Sequence, residues 1–249
     1  MRHLSNLQKS AIFIGAIAVI SVILAELVQV AGVGYFQNIS ILVGITLIAT
    51  LGVAILTGYT GLFTIGHAGF MAVGGYLAAI LAKEVHMNIA WSLLGGGLFA
   101  GLVSFIIGYP AFRSRLRGDY FAIATLGFAE AIRLVLNNVK HIGEINLGGP
   151  YGYMDIPTLD SMIWAWLPGE GWGSVIVVLA LALAVFILTH MFVISQWGKN
   201  CIAVGQDEVA AQMMGVNLLQ MKMMALFISA FFAGLSGGLV PKRPLTHDA

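Results

Sequence analysis

The chain has 249 residues, of which only 9% are charged and 59% hydrophobic, and its mean hydropathy is +0.93. A soluble domain carries about 25% charged residues, so this composition cannot build a water-exposed surface, and the chain reads as an all-α integral membrane protein. A net charge of +1 offers no basic patch for nucleic acid, and the single cysteine, Cys201, excludes an internal disulfide and a cysteine metal cluster.

A membrane-crossing helix needs about 20 mostly apolar residues. Taken in chain order, the segments that qualify are 11–30, 38–57, 61–82, 89–109, 119–138, 173–194 and 222–240, which predicts about seven spans in one domain, 1–249. The first is not read as a signal peptide, because its apolar run is long and no small-residue cleavage site follows. Glu26 lies near its end, within reach of the interface.

The next two spans share a charge-free run from Ile39 to Ala82, 44 residues (82 − 39 + 1) and too long for one crossing. The natural break is Thr57-Gly58-Tyr59-Thr60. Around it lies "GYTGLFTIGHAGFMAVGGY", with Tyr59, Thr60, Gly61, Thr64, Gly66, His67 and Gly69 in an otherwise apolar setting. Glycine permits close backbone approach and broken helices. Three readings stay open: tight helix packing around a satisfied histidine, a broken helix beside a translocation path, and direct solute contact by His67.

After the span 89–109, "RSRLRGDY" reads as a solvated loop that sets orientation, with docking by its arginines as the alternative. In the span 119–138, Glu130 and Arg133 are three apart and share a helix face. Intramembrane charges usually face the protein interior and pair, so an ion pair locking this helix to its neighbours is expected, or a part in gating or solute passage. The connection at about 139–172 holds "INLGGPYGYMDIP" and "MIWAWLPGEGW", whose Trp and Tyr suit an interfacial belt.

The connection at about 195–221 contains "GQDEVAAQMMGVN". Asp207 and Glu208 favour a helix N-terminus, Ala210 and Ala211 give a small surface, and Gly215 can end the helix. This short helix either seats in a partner's cleft, with Ala211 on the docking face, or is an ordinary interfacial helix. Placing the N-terminus in the cytoplasm puts Arg2, Lys9, Arg113, Arg115, Arg117, Lys199 and Lys222 inside, against Lys83 and Lys140 outside; leaving out the in-span Arg133 and the outer tail with Lys242 and Arg243, that is seven against two, as Lys/Arg asymmetry requires. The six histidines show no paired ligand spacing, and no phosphate loop or nucleophile motif occurs. No metal, no cofactor and no catalysis by this chain are therefore expected.

Four blocks, "GYTGLFTIGHAGF", "RLRGDYFAIATLGFAEAIRLVLNN", "NLGGPYGYMDIP" and "WGKNCIAVGQDEVAAQMMGVN" followed by "KMMALFISAFFAGLSGGL", resemble the inner-membrane permease subunits of branched-chain amino-acid ABC transporters, a family that includes urea and related amide permeases. The resemblance implies a multi-pass subunit of a bacterial inner-membrane importer. Its implied partners are ABC ATPase subunits, a related second permease subunit, an external (periplasmic) solute-binding protein, a small-molecule solute and the lipid bilayer. It also implies that Asp207, Glu208, Ala210, Ala211 and Gly215 form the helix that docks on the ATPase, although Val209 is inserted in the pattern. Leu147 stands where the family's outer block has a threonine. Branched-chain or other small amino acids lead as solutes, with urea or short amides second; the rival from another class is a stand-alone seven-span receptor or channel. Where the family continues with further spans, this chain has the tail 241–249. The resemblance thus implies a shortened C-terminal end, with the small-residue face Gly234, Ser236, Gly237 and Gly238 short of neighbours.

Overall fold

The computed structural model describes residues 34–114, 118–139, 141–142, 145–146, 149 and 172–240. The predicted first span 11–30, Arg115, Arg117, Lys140, most of the 139–172 connection and the tail 241–249 lie outside the described residues.

Within them the regular structure is helical apart from one two-residue ladder. Helix α1 (Gly34–Val53) runs into a π-helical turn, Ala54–Tyr59. Then come α2 (His67–Lys83), α3 (Ile89–Arg113) and α4 (Gly118–Asn138). Strands β1 (His141–Ile142) and β2 (Ile145–Asn146) pair antiparallel, His141 opposite Asn146. Helices α5 (Trp172–Ile194), α6 (Gln196–Gln206), α7 (Glu208–Met213) and α8 (Leu218–Gly238) complete the described chain.

Among the described residues, four helices are long and apolar enough to cross a membrane: Gln37–Tyr59, Ile89–Arg113, Gly173–Ile194 and Leu218–Gly238. The predicted span 61–82 is not one continuous helix. Residues 61–66 are non-helical, and α2 has 17 residues, about 25 Å of rise against a hydrocarbon core of about 30 Å. Helix α4 has 21 residues but carries Asp119, Glu130 and Arg133 and ends in two asparagines.

Helix α8 is the hub, packed mainly on α3 and α2 with α1 beside it. It runs antiparallel to α3: Phe231, Phe227 and Met223 sit at four-residue intervals over Gly97, Gly101 and Gly108, and a Cβ on these glycines would meet them at 3.0, 2.7 and 2.9 Å. Small residues let membrane helices approach without the hydrophobic drive that operates in water. The small-residue face of α8 is therefore covered, contrary to expectation. Gly234 meets Ala100 and Gly97, Gly237 abuts the Met71 carbonyl, Gly238 meets Leu93 and Ala78, and Ser236 is fully buried. Several hydroxyls along the helices are satisfied locally, Thr46 donating to the Leu42 carbonyl and Thr189 to that of Val185, at 2.7 and 2.8 Å, as an environment without water favours; Ser229 Oγ on α8 is buried without a partner.

Candidate functional site

One end of the bundle gathers the π-helical turn, the start of α4, the α6–α7 connection and the first turn of α8. Helices α6 and α7 meet at Asp207, which is extended (φ −155°, ψ 112°) and so ends one helix and begins the next. Its Oδ1 accepts from the backbone N–H groups of Val209 (2.8 Å) and Ala210 (3.1 Å), satisfying donors that a helix start leaves unpaired. At the other end Gly215 takes φ +83°. Its N–H donates to the Gln212 carbonyl at 3.0 Å, and that of Val216 donates to the Ala211 carbonyl at 3.1 Å. This bond pair closes a helix through a left-handed residue. A six-residue helix has little stability of its own; here both ends are fastened.

The orientation of α7 differs from the sequence reading. Ala211 is 4% exposed and belongs to the chain's own apolar core. Its methyl group therefore faces inward, and a bulky residue at 211 would test folding and not docking. The cause is an ion pair: Lys222 Nζ, in the first turns of α8, donates to Glu208 Oε1 at 2.7 Å. Glu208 and Ala211 are three apart and share a side of the helix, so the pair that holds Glu208 to α8 rolls Ala211 inward with it. The outward face is Val209, Ala210, Met213 and Met214, with Val209 at 65%, Met213 at 82% and Met214 at 84% exposure.

Sequence reasoning missed Lys222, counting it as a loop cation; its side chain is 8% exposed. The signal was present, a lone cation inside "MKMMALFISAFF", but its partner lies fourteen residues back. Gly205 was also missed. A Cβ there would meet the Tyr59 carbonyl at 2.6 Å and the Gly61 nitrogen at 3.3 Å, so the end of α6 lies directly against the break between α1 and α2.

That break uses some of the polar residues of the glycine-rich block, while Thr64 Oγ1 is buried without a hydrogen-bond partner. Gly61 has φ +66°, and burial then alternates: Leu62, Thr64 and Gly66 are buried, while Phe63 and Ile65 face outward. A two-residue period is that of extended backbone, whose polar groups lack helical partners. Thr57 Oγ1 donates to the Leu62 carbonyl at 3.2 Å, and the Ile65 N–H donates to Thr125 Oγ1 on α4 at 3.3 Å. Buried Thr60 donates to the Leu56 carbonyl. Gly66 presses on the Thr125 backbone, and a Cβ at Gly69 would meet Ala129 Cα at 2.9 Å. His67 opens α2 and is buried. Its ring nitrogens complete no well-formed hydrogen bond, although the Ala49 backbone is within reach. The structure thus brings Tyr59, Thr60, Gly61, Thr64, Gly66, His67 and Gly69 together as the packed wall of a broken helix.

Glu130 and Arg133 do pair. Arg133 Nε donates to Glu130 Oε2 at 2.8 Å and Nη2 to Oε1 at 2.6 Å. The pair does not lock α4 to its neighbours: the side chains are 51% and 61% exposed, on the side of α4 away from its contacts with α2. It lies remote from α7, so the two candidate groups are separate sites.

The family described as branched-chain amino acid transport system / permease component matches residues 35–248. The chain is 33% identical, over a 227-residue alignment, to the high-affinity branched-chain amino acid transport system permease protein LivM of Escherichia coli (strain K12), covering 83% of this chain and 52% of that protein. To the LivM of Salmonella typhimurium it is 31% identical, covering 94% and 58%. To the guanosine ABC transporter permease protein NupQ of Bacillus subtilis (strain 168) it is 26% identical, covering 82% and 67%. The chain spans about half the length of the LivM relatives. No solved structure matches it.

Proposed function

This chain belongs to the branched-chain amino acid transport permease family, and on that premise we propose that it is a membrane subunit of an ABC importer for branched-chain amino acids. It would work with ABC ATPase subunits, a related second permease and an external solute-binding protein, and have no ATP-hydrolysing role of its own. The observation that carries the reading is α7, a short helix fastened at both ends that offers Val209, Met213 and Met214 to the surroundings. Clustered exposed apolar side chains mark interaction surfaces, and Val209 and Met213 share a helix face. Asp207, Glu208 and Gly215 act here by holding the helix in shape, Ala210 lies on the outward face, and Ala211 anchors it from within. The receptor or channel rival gives this surface no purpose. Because one relative is named for guanosine, a nucleoside is the second solute reading.

Leucine uptake into vesicles holding the complete transporter, with guanosine as the comparison, tests this function. Met213→Asp is expected to lower co-purification of the ATPase about tenfold or more, since truncating an interface anchor removes about 2 kcal/mol or more, while membrane insertion stays normal. Wild-type co-purification by this variant would remove α7 from the interface.

The proposed topology has seven spans and a cytoplasmic N-terminus, which puts α6 and α7 beside the ATPase. The Lys/Arg asymmetry supports it, although buried Lys222 no longer counts as a loop charge. With a membrane-impermeant thiol reagent on intact cells, Asp160→Cys is expected to react and Arg115→Cys to be protected. Native Cys201 gives a low background, because burial pushes its thiol up to about 11 and only the thiolate reacts. Labelling at 115 with protection at 160 would invert the topology.

A further inference from the structure

The outward side of α4 has a composition that lipid does not explain. Ile123, Gly127, Glu130 and Leu134 follow the i, i+4, i+7, i+11 spacing of one helix face. The opposite face holds Phe121 and Thr125, both fully buried. Ile123 is 66% exposed, and a Cβ on Gly127 would meet nothing within 4 Å. Glu130 lies about 18 Å along the helix from Gly118 and about 12 Å from Asn138, which in the proposed seven-span topology, where α4 crosses, is near mid-depth for a membrane about 30 Å thick.

At that depth a half-exposed ion pair facing hydrocarbon is strongly unfavourable, even when its members bind each other. The pair is also unfinished. The guanidinium has five N–H donors and uses two on Glu130, and the carboxylate keeps free lone pairs. What remains is a set of cationic donors beside a set of anionic acceptors, next to an open ledge at Gly127 with Ile123 and Leu126 alongside. A zwitterion with a short aliphatic tail complements this arrangement: its carboxylate takes the free Arg133 N–H groups, its ammonium donates to Glu130, and its tail lies over Ile123 and Leu126.

We infer that the Glu130–Gly127 face of α4 lines the translocation path and that Glu130 and Arg133 bind the charged head of an aliphatic amino acid in transit. The inference rests on the importer reading above. It assigns the path to the side of α4 facing away from the glycine-rich block, which is spent on packing.

The test uses the complete transporter in vesicles. In a Cys201→Ser background, Gly127→Cys is expected to react with a cationic methanethiosulfonate reagent, and leucine is expected to slow that reaction. Independently, the double variant Glu130→Gln/Arg133→Gln is expected to lower leucine uptake about tenfold or more, since hydrogen bonds to charged groups are lost, with ATPase co-purification unchanged. A Gly127→Cys variant that does not react but cross-links to the second permease would make this face a subunit interface; one that neither reacts nor cross-links would make it lipid-facing. Either result, or wild-type uptake by the double variant, overturns the inference. If the unmodified transporter moves no leucine, the importer reading for amino acids fails first; if it does and the double variant matches it, only the α4 site fails.

Discussion

Gly74→Leu is expected to remove nearly all correctly folded protein. A Cβ at Gly74 would fall on the α8 backbone at Gly234, with the Gly234 carbonyl oxygen at 2.8 Å. A Cβ at Gly234 would meet Ala100 Cβ at 2.6 Å and Gly97 Cα at 2.9 Å, and one at Gly96 would press on the Gly74 carbonyl. Three backbones, α2, α3 and α8, thus meet at one point with no side chain larger than a methyl group between them. Overpacking a core costs about 1–3 kcal/mol when side chains can yield. Here the obstacle is backbone, so separating the helices is the only relief and the cost lies at or above the upper figure. Gly58→Ala is the control: it has nothing within 4 Å and no positive φ, and its effect should stay within about 0.5 kcal/mol. Monodisperse yield and the thermal aggregation midpoint in detergent measure both. A Gly74→Leu midpoint equal to that of Gly58→Ala would mean that the three-helix contact does not form.

The same contact shows what the sequence could and could not disclose. Apolar runs at 38–57, 89–109, 173–194 and 222–240 each correspond to a described helix, because length and hydropathy are local properties. The glycines of α2 and α8 were legible as contact surfaces, but not that they contact each other; covering Gly237 with the Met71 carbonyl is a matter of tertiary packing. The break at Gly61 was visible as an excess of glycine and threonine. Its extent was not, since one of its satisfying hydroxyls, Thr125, lies sixty residues downstream of Ile65. Glu130 and Arg133 pair because three-residue spacing makes them neighbours, which the sequence shows. Their direction depends on which face of α4 is taken by Gly66 and Gly69, which it does not. Ala211 is the clearest miss: composition suits it to either side of a short helix, and the deciding contact belongs to Glu208.

That contact sets up the second large effect. Lys222 is held at 8% side-chain exposure with Glu208 as its charged partner. Removing one member of a fully buried pair costs about 3–5 kcal/mol; Glu208 is 52% exposed, so water already screens part of the interaction and Glu208→Gln should cost about 1–3 kcal/mol. Lys222→Met removes the charge and keeps an unbranched, adaptable chain in its place, so adding it to Glu208→Gln should recover much of the lost stability. Function should not recover with it. In the proposed importer, α7 bears on the ATPase and reaches the bundle through Glu208 on α8 and the buried Ala211, while Gly205 at the end of α6 bears on the Tyr59–Gly61 break. Replacing a directed 2.7 Å bond with apolar contact loosens the first of these. The double variant is therefore expected to aggregate at nearly the wild-type temperature and to retain the ATPase, while moving less leucine per ATP hydrolysed. Measuring midpoint, co-purification and the uptake-to-hydrolysis ratio on the same preparations separates the two roles. A wild-type ratio in the double variant would show that Glu208 and Lys222 only hold the fold together and that motion passes through Ala211 and Gly205.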